Sequence, residues 1–263
     1  MLLAQLISLP VSIVLFLWML HIKKDDPFPK GSLLKMVLTG ALCPFIATIL
    51  TLLLGLIALV IRIGPADLVE AFSDLSAFDT SAAGQRLVEI SQNHTVSGLV
   101  FHAFVVTALV EELLKYLAMR FCLRKSGVLR TRMDAVVCAA VIGIAFQVVE
   151  DLYYASGSVL LAIFRSLTPF HFVFGVIMGY YFGLYKITGR KSDLAKALLI
   201  PTLIHGFFDS GVSILSLNDS YFWVTLAALV LTMAITVYVI VKLRRCSKDG
   251  TLSEPIVQEQ AAL

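Results

Sequence analysis

The sequence predicts an all-α polytopic membrane protein of about seven transmembrane helices, with spans 3–6 enclosing a polar cavity. Three observations predict it. Of 263 residues 59% are apolar and 15% charged, against about 25% charged in soluble domains. Apolar windows at 1–22, 33–63, 97–122, 134–156, 158–185, 195–217 and 221–243 are each long enough to cross about 30 Å of hydrocarbon. Basic residues gather in alternate loops, which the positive-inside rule places in the cytoplasm.

Span 1 has neither a basic leader nor a clear small-residue cleavage site, so it reads as a retained helix with its N-terminus outside. Lys23, Lys24, Lys30 and Lys35 follow it. Span 2 is long enough to tilt or kink, and Pro44 and Gly55 are the candidates. Loop 64–96 is acidic and extracytoplasmic, with Leu68, Phe72 and Leu75 near the spacing of an interfacial amphipathic helix. Arg120, Arg124, Lys125, Arg130 and Arg132 close span 3; Lys186, Arg190, Lys191 and Lys196 close span 5. Lys242, Arg244, Arg245 and Lys248 end span 7, so the C-terminus is cytoplasmic. Residues 1–245 form one transmembrane domain with a motif-bearing core at about 97–217, and 246–263 form a polar cytoplasmic tail without fixed structure.

Several functions and modifications find little support. A net charge of +3 gives no reason to expect nucleic acid as a partner. Cys43, Cys122, Cys138 and Cys246 show no paired spacing, and Cys246 carries only a weak acylation signal. Asn93-His-Thr95 and Asn218-Asp-Ser220 match the glycosylation sequon but lie close to the membrane.

Polar residues inside the spans are few, and they cluster. Span 3 has Glu111, Glu112 and Lys115; span 4 has Phe146-Gln-Val-Val-Glu150 and then Asp151; span 5 has Arg165 and His171; span 6 has His205 and Asp209. A carboxylate at the bilayer centre costs at least ~2.5–3.5 kcal/mol, so these groups must face one another and not lipid. Glu111 and Lys115 stand i,i+4 on one helix face and can neutralise each other. That leaves Glu112, ~100° around the helix, needing a partner from another helix, Arg165 being one choice. Counted from the span ends, Glu111, His171, His205 and Asp209 fall in the middle third and Glu150 nearer the outer surface. Asp151, Tyr153 and Tyr154 fit an outer interfacial belt. Gly175, Gly179 and Gly183 form a small-residue packing stripe. His21, His94 and His102 stand apart and read as exposed or hydrogen-bonding residues. A carboxylate among like charges in an apolar setting is suited to accept a proton from water, as a general base must.

The order E-E-x-x-K (Glu111, Glu112, Lys115), F-x-x-x-E (Phe146, Glu150), R-x-x-x-P-x-H (Arg165, Pro169, His171) and H-x-x-x-D (His205, Asp209) resembles the PrsW-type intramembrane proteases. These belong to the superfamily of type II CAAX-processing and bacteriocin-immunity proteases. The wider superfamily shows E-E-x-x-x-R and F-x-x-x-H. Here Lys115 comes one residue earlier and Glu150 replaces the His, as in the PrsW branch, which argues against prenylated substrates. The resemblance covers about residues 100–215. It implies a catalytic cavity and an endopeptidase that activates water without an obligatory metal or other cofactor, acting on a membrane-protein or membrane-bound peptide substrate in the lipid bilayer. It further implies Glu111 as general base, Glu112 and Lys115 orienting it, and Glu150 helping to hold the water. His205 with Asp209 would bind the water or polarise the scissile carbonyl. His171 would complete the site, and Arg165 would pair with a carboxylate. Two other readings stay open. Two histidines with a glutamate suit zinc, although H-E-x-x-H is absent. A transporter or scaffold would use the same groups as a proton relay, although no inverted repeat is visible.

Overall fold

The computed structural model describes residues 2–62, 95–124, 127–154 and 167–256, with Val69 and Ile163 as isolated positions. Among the described residues the architecture is all-helical. The long helices are α1 (Leu2–Ile22), α2 (Ser32–Arg62), α3 (Val96–Leu123), α4 (Arg132–Tyr154), α5 (Phe170–Thr188), α6 (Lys191–Ile214) and α7 (Phe222–Lys248). Those from α2 to α7 are long and apolar enough to cross a membrane, and α1 contributes a shorter apolar stretch, Leu9–Ile22. Arg165, Asn93, His94 and the expected amphipathic helix of loop 64–96 lie outside the described residues.

Span 5 differs from expectation. The apolar run from 158 suggests one long helix, but α5 starts only at Phe170. Pro169 precedes it with φ −76° and ψ 60°. A proline has no N–H to carry a helix through from its N-terminal side, so the chain begins α5 afresh there. His171 therefore sits in the first turn of α5.

α4 is the central helix. Ala135, Val136, Val137, Cys138, Ala139, Ala140, Val141 and Ile142 are all buried, as expected of a helix apolar all round. Its most extensive partner is α5. Gly175 and Gly179 of α5 lie directly on the Ala139 and Ala135 carbonyls, and Gly143 of α4 lies on the carbonyl of His171. A β-carbon at any of the three would meet backbone, so the small-residue stripe fixes how closely the two helices pack.

α2 joins this core along one face. Ser32, Met36, Gly40, Cys43 and Ala47 are buried at steps of three or four residues. Beyond Ala47 no described residue of α2 is buried. Pro44, inside the helix, cannot bond to the Gly40 carbonyl, a usual cause of a bend.

The N-terminal end of α4 is sealed by polar and tail contacts. Asp134 accepts from Thr131 N at 2.8 Å, and its own N–H donates to Thr131 Oγ1 at 3.3 Å, a reciprocal cap. Lys23 Nζ reaches Asp134 at 2.7 Å, tying the end of α1 to this turn. The expected free tail is instead packed over residues 249–256. Met133 N donates to Leu252 O at 2.8 Å, Ile256 N to Arg130 O at 2.8 Å, and Arg132 pairs with Glu254 at 2.5 Å. Leu252 and Ile256 are buried. The opening N–H groups of a helix need acceptors, and the tail supplies them.

Two glycines should respond oppositely to alanine. Gly143→Ala should destabilise the protein by ~1–3 kcal/mol, because the new methyl overlaps backbone. Gly55→Ala should stabilise it by ~0.5–1 kcal/mol, because a β-carbon there meets nothing within 4 Å and helical glycine is entropically costly. Thermal unfolding in detergent micelles measures both; equal shifts would contradict the packing described.

Candidate active site

α3 is not uniformly α-helical. Val96–Phe101 is α-helix, His102–Ala108 is π-helix, and α-helix resumes at Leu109–Leu123. The π-helix ends just before Glu111. Such segments are rare and often sit at functional sites. No proline or glycine in HAFVVTA signals it. Gly206 of α6 abuts the Phe104 ring, so α6 closes on this segment and carries the adjacent His205 up to α3.

The buried acids have partners, but not those the spacing suggests. Lys115 Nζ donates to Glu112 Oε1 at 2.7 Å, whereas Glu111 Oε2 is 3.7 Å away. The i,i+3 carboxylate thus takes the lysine, and the i,i+4 carboxylate does not. Glu112 Oε1 also accepts from His205 Nδ1 at 2.9 Å. Glu112 and Lys115 are 0% and 1% exposed. Lys115 Nζ further donates to His171 Nδ1 at 2.7 Å and lies 3.9 Å from the centre of the Phe146 ring, where a cation is favoured.

His171 links this lysine to α4. With Nδ1 accepting from an ammonium, its proton lies on Nε2, which donates to Glu150 Oε2 at 2.6 Å. The backbone N–H of His171 donates to Gln147 Oε1 at 3.2 Å. Gln147 Nε2 donates in turn to Asp151 at 3.2 Å. Asp151 is 1% exposed, so it belongs to this network and not to an interfacial belt. Gln147 is the residue whose role the sequence reading missed. Its i,i+4 spacing to Asp151 in an apolar span was the available signal.

His205 completes the cluster. Its ring stacks on Phe174 with centroids 5.1 Å apart. Nε2 lies 3.3 Å from Asp209 Oδ2 and 3.9 Å from Glu111 Oε2. Glu111 Oε2 is buried and accepts no hydrogen bond. Glu111, Glu112, Lys115, Glu150, His171, His205 and Asp209 therefore meet in one place, with Phe146 at its wall.

Two spaces border the cluster. A cavity of about 50 Å³ is lined by Gln147, Glu150, Thr168, His171, His205 and Asp209, with phenylalanines completing it. That is room for a few waters, with polar partners for them. A groove of about 810 Å³ between α2, α3 and α4 is lined by Glu111 and Glu150 among mostly apolar side chains.

A family model described as "PrsW family intramembrane metalloprotease" matches residues 29–240. The chain belongs to the PrsW family. With its apolar helices, it is a multi-pass integral membrane protein. It is similar to Protease PrsW of Clostridioides difficile, 32% identical over 124 residues, covering 43% of this chain and 52% of that one. Protease PrsW of Oceanobacillus iheyensis is 30% identical over 125 residues, 46% of this chain and 58% of that one. Protease PrsW of Bacillus subtilis is 28% identical over 133 residues, 48% and 61% respectively. The matches thus span about half the length of these curated relatives. No solved structure matches the chain.

The PrsW description implies a metal. Glu111, His171 and His205 offer ligand atoms all within 4.8 Å of one another. Their hydrogen bonding opposes it. A histidine ligand needs a ring nitrogen with a free lone pair, but His171 Nδ1 faces the Lys115 ammonium and its Nε2–H faces Glu150. In this arrangement the three residues do not fit a metal ion.

Removing the lysine should be worse than removing the pair. Lys115→Met leaves Glu112 buried and short of its cation, which should cost about 3–5 kcal/mol, and adding Glu112→Leu should recover much of it. Unfolding midpoints of the single and double variants in micelles measure this. A double variant no more stable than Lys115→Met would refute the pairing.

Proposed function

We propose that the protein is an intramembrane endopeptidase in which Glu111 activates water to cleave peptide bonds of membrane-protein substrates. The observation that carries this reading is Glu111 itself: a buried carboxylate oxygen, with no hydrogen bond, between Lys115, His205 and a groove. Glu112 also keeps one buried oxygen without a hydrogen bond, but its other oxygen is bonded to Lys115 and His205 and it does not line the groove. Of the two, Glu111 is the one whose carboxylate borders an open space. The PrsW relatives, named as proteases, support the same reaction class.

The chemistry follows from the contacts. Water beside Glu111 gives a proton to Oε2 as its oxygen attacks the scissile carbonyl carbon. Negative charge develops on the carbonyl oxygen. His205 Nε2, 3.9 Å from Glu111, is placed to donate to it, with the ring held by Glu112 at Nδ1 and by stacking on Phe174. Asp209 steadies the same nitrogen before substrate arrives. The proton on Glu111 then passes to the leaving amine as the C–N bond breaks. Lys115 keeps Glu112 and His171 in register, and Glu150 with His171 forms the wall against which the water rests.

In this reading the basic loops face the cytoplasm, the N-terminus lies outside, and the Glu150–His171 end of the bundle is the outer end. Single cysteines at Ser220 and Lys191 test it. The first should react with an impermeant maleimide on intact cells and the second only after lysis; the opposite pattern would invert the protein.

Glu111→Gln should nearly abolish cleavage of a reconstituted membrane substrate while its unfolding midpoint stays near wild type; His205→Ala should nearly abolish it too, with a lowered midpoint because buried Glu112 loses a donor. Glutamine keeps the shape of Glu111 but cannot take water's proton. Loss of the His205 donor should cost about 10²–10³ in rate. Wild-type cleavage by Glu111→Gln would end the general-base reading. Loss of activity with a chelator, restored by zinc, would replace it with a metal mechanism.

A further inference from the structure

We infer that a cavity among α4, α5, α6 and α7, separate from the acidic cluster, holds an acyl chain of an anionic phospholipid from the surrounding bilayer, with the headgroup phosphate on Lys242. The cavity has a volume of about 300 Å³, at the lower end of the range for ligand pockets, which in helical bundles form between helices. No residue that lines it also lines the groove or the small polar cavity beside the acidic cluster. It therefore stands independently of the peptidase reading.

The shape and lining suit a hydrocarbon chain. Ile177 of α5, Ile200 and Ile204 of α6, and Ile235 and Val239 of α7 form aliphatic walls, and Leu252 of the docked tail closes one side. The rise along α7 from Ile235 to Lys242 is about 10 Å at ~1.5 Å per residue. One leaflet supplies about half of the ~30 Å of hydrocarbon, so the space takes the upper part of one lipid chain. Tyr238, which lines the cavity, is also 62% exposed on the outside of this membrane-crossing helix, so the cavity opens towards lipid. Left empty, its walls would forfeit the dispersion contacts that a chain makes.

The rim selects the headgroup. Three tyrosines line the cavity, and each has a cation beside its ring: Arg132 at 5.4 Å from Tyr180, Lys196 at 5.8 Å from Tyr181, and Lys242 at 5.6 Å from Tyr238. Two of these cations are neutralised, Arg132 by Glu254 and Lys196 by Asp193. Lys242 is not. Among the described residues its ammonium meets the Tyr238 hydroxyl at 3.3 Å and no carboxylate. It also lines the cavity itself, which the other two do not. An ammonium without a counter-ion, at the edge of an apolar slot between membrane helices, is matched by a lipid phosphate whose chain lies in the slot. A zwitterionic lipid brings its own cation and gains less there.

The probes are dioleoylphosphatidylglycerol and dioleoylphosphatidylcholine, which share their chains and differ in headgroup charge. Native mass spectrometry of the full chain in detergent micelles gives the affinity for the first lipid bound. Phosphatidylglycerol should bind at least roughly five-fold more tightly, the effect of one ammonium beside an anionic headgroup. Lys242→Gln, at an exposed position, should bring it down to the level of phosphatidylcholine. Val239→Trp fills the slot and should remove the tight site for both lipids. Arg244→Gln and Val237→Trp, at exposed positions of α7 outside the cavity, should change neither. Equal affinity for the two lipids, or a preference that survives Lys242→Gln, overturns the site. So does a dimer that forms when lipid is stripped away and that Val239→Trp prevents, because it gives the cavity to a second copy of the chain.

Discussion

The buried ammonium of Lys115 is the interaction on which the site depends. Two adjacent glutamates in an apolar span are too costly to leave bare, and a single lysine cannot satisfy both. It takes Glu112 at 2.7 Å and leaves Glu111 at 3.7 Å. The inequality matters. One carboxylate becomes structural, fixed between Lys115 and His205. The other, 3.7 Å from the ammonium, is left to border the groove. The same ammonium sets the tautomer of His171, and through it the bond to Glu150. One cation therefore reaches four helices: α3, which carries it, α4, α5 and α6.

Backbone proximity makes this possible. A β-carbon at a helix contact holds two helices apart, typically at about 8–10 Å. Glycine removes the obstacle at Gly143, where α4 touches the carbonyl of His171, and at Gly206, where α6 touches Phe104. The break before α5 contributes as much. By starting at Phe170 after Pro169, α5 presents His171 in its first turn, beside the last turns of α4 that carry Glu150. The π-helical stretch of α3 adjusts the other wall immediately before Glu111. The apolar half of the structure serves the same end. α2 packs with Met36 and four small residues as far as Ala47, and beyond it none of its described residues is buried. Had that face stayed packed, the groove that Glu111 lines would be closed.

By itself the sequence determined the class, the run of helices and which polar residues converge in one cluster. Those follow from energies that act residue by residue. Apolar runs of span length must be helical in hydrocarbon, and ionisable residues there must converge. So Glu111, Glu112, Lys115, Glu150, His171, His205 and Asp209 were all identifiable before any coordinates. Only the tertiary structure decided who pairs with whom. Helical spacing allows Lys115 either neighbouring acid, and the choice fell to Glu112 because His205 and His171 arrive from α6 and α5 on that side. The start of α5, the burial of Asp151 beside Gln147 and the packing of Leu252 and Ile256 under α4 escaped the sequence for one reason. Each is set by contacts between residues distant along the chain, and hydropathy and periodicity report only on neighbours.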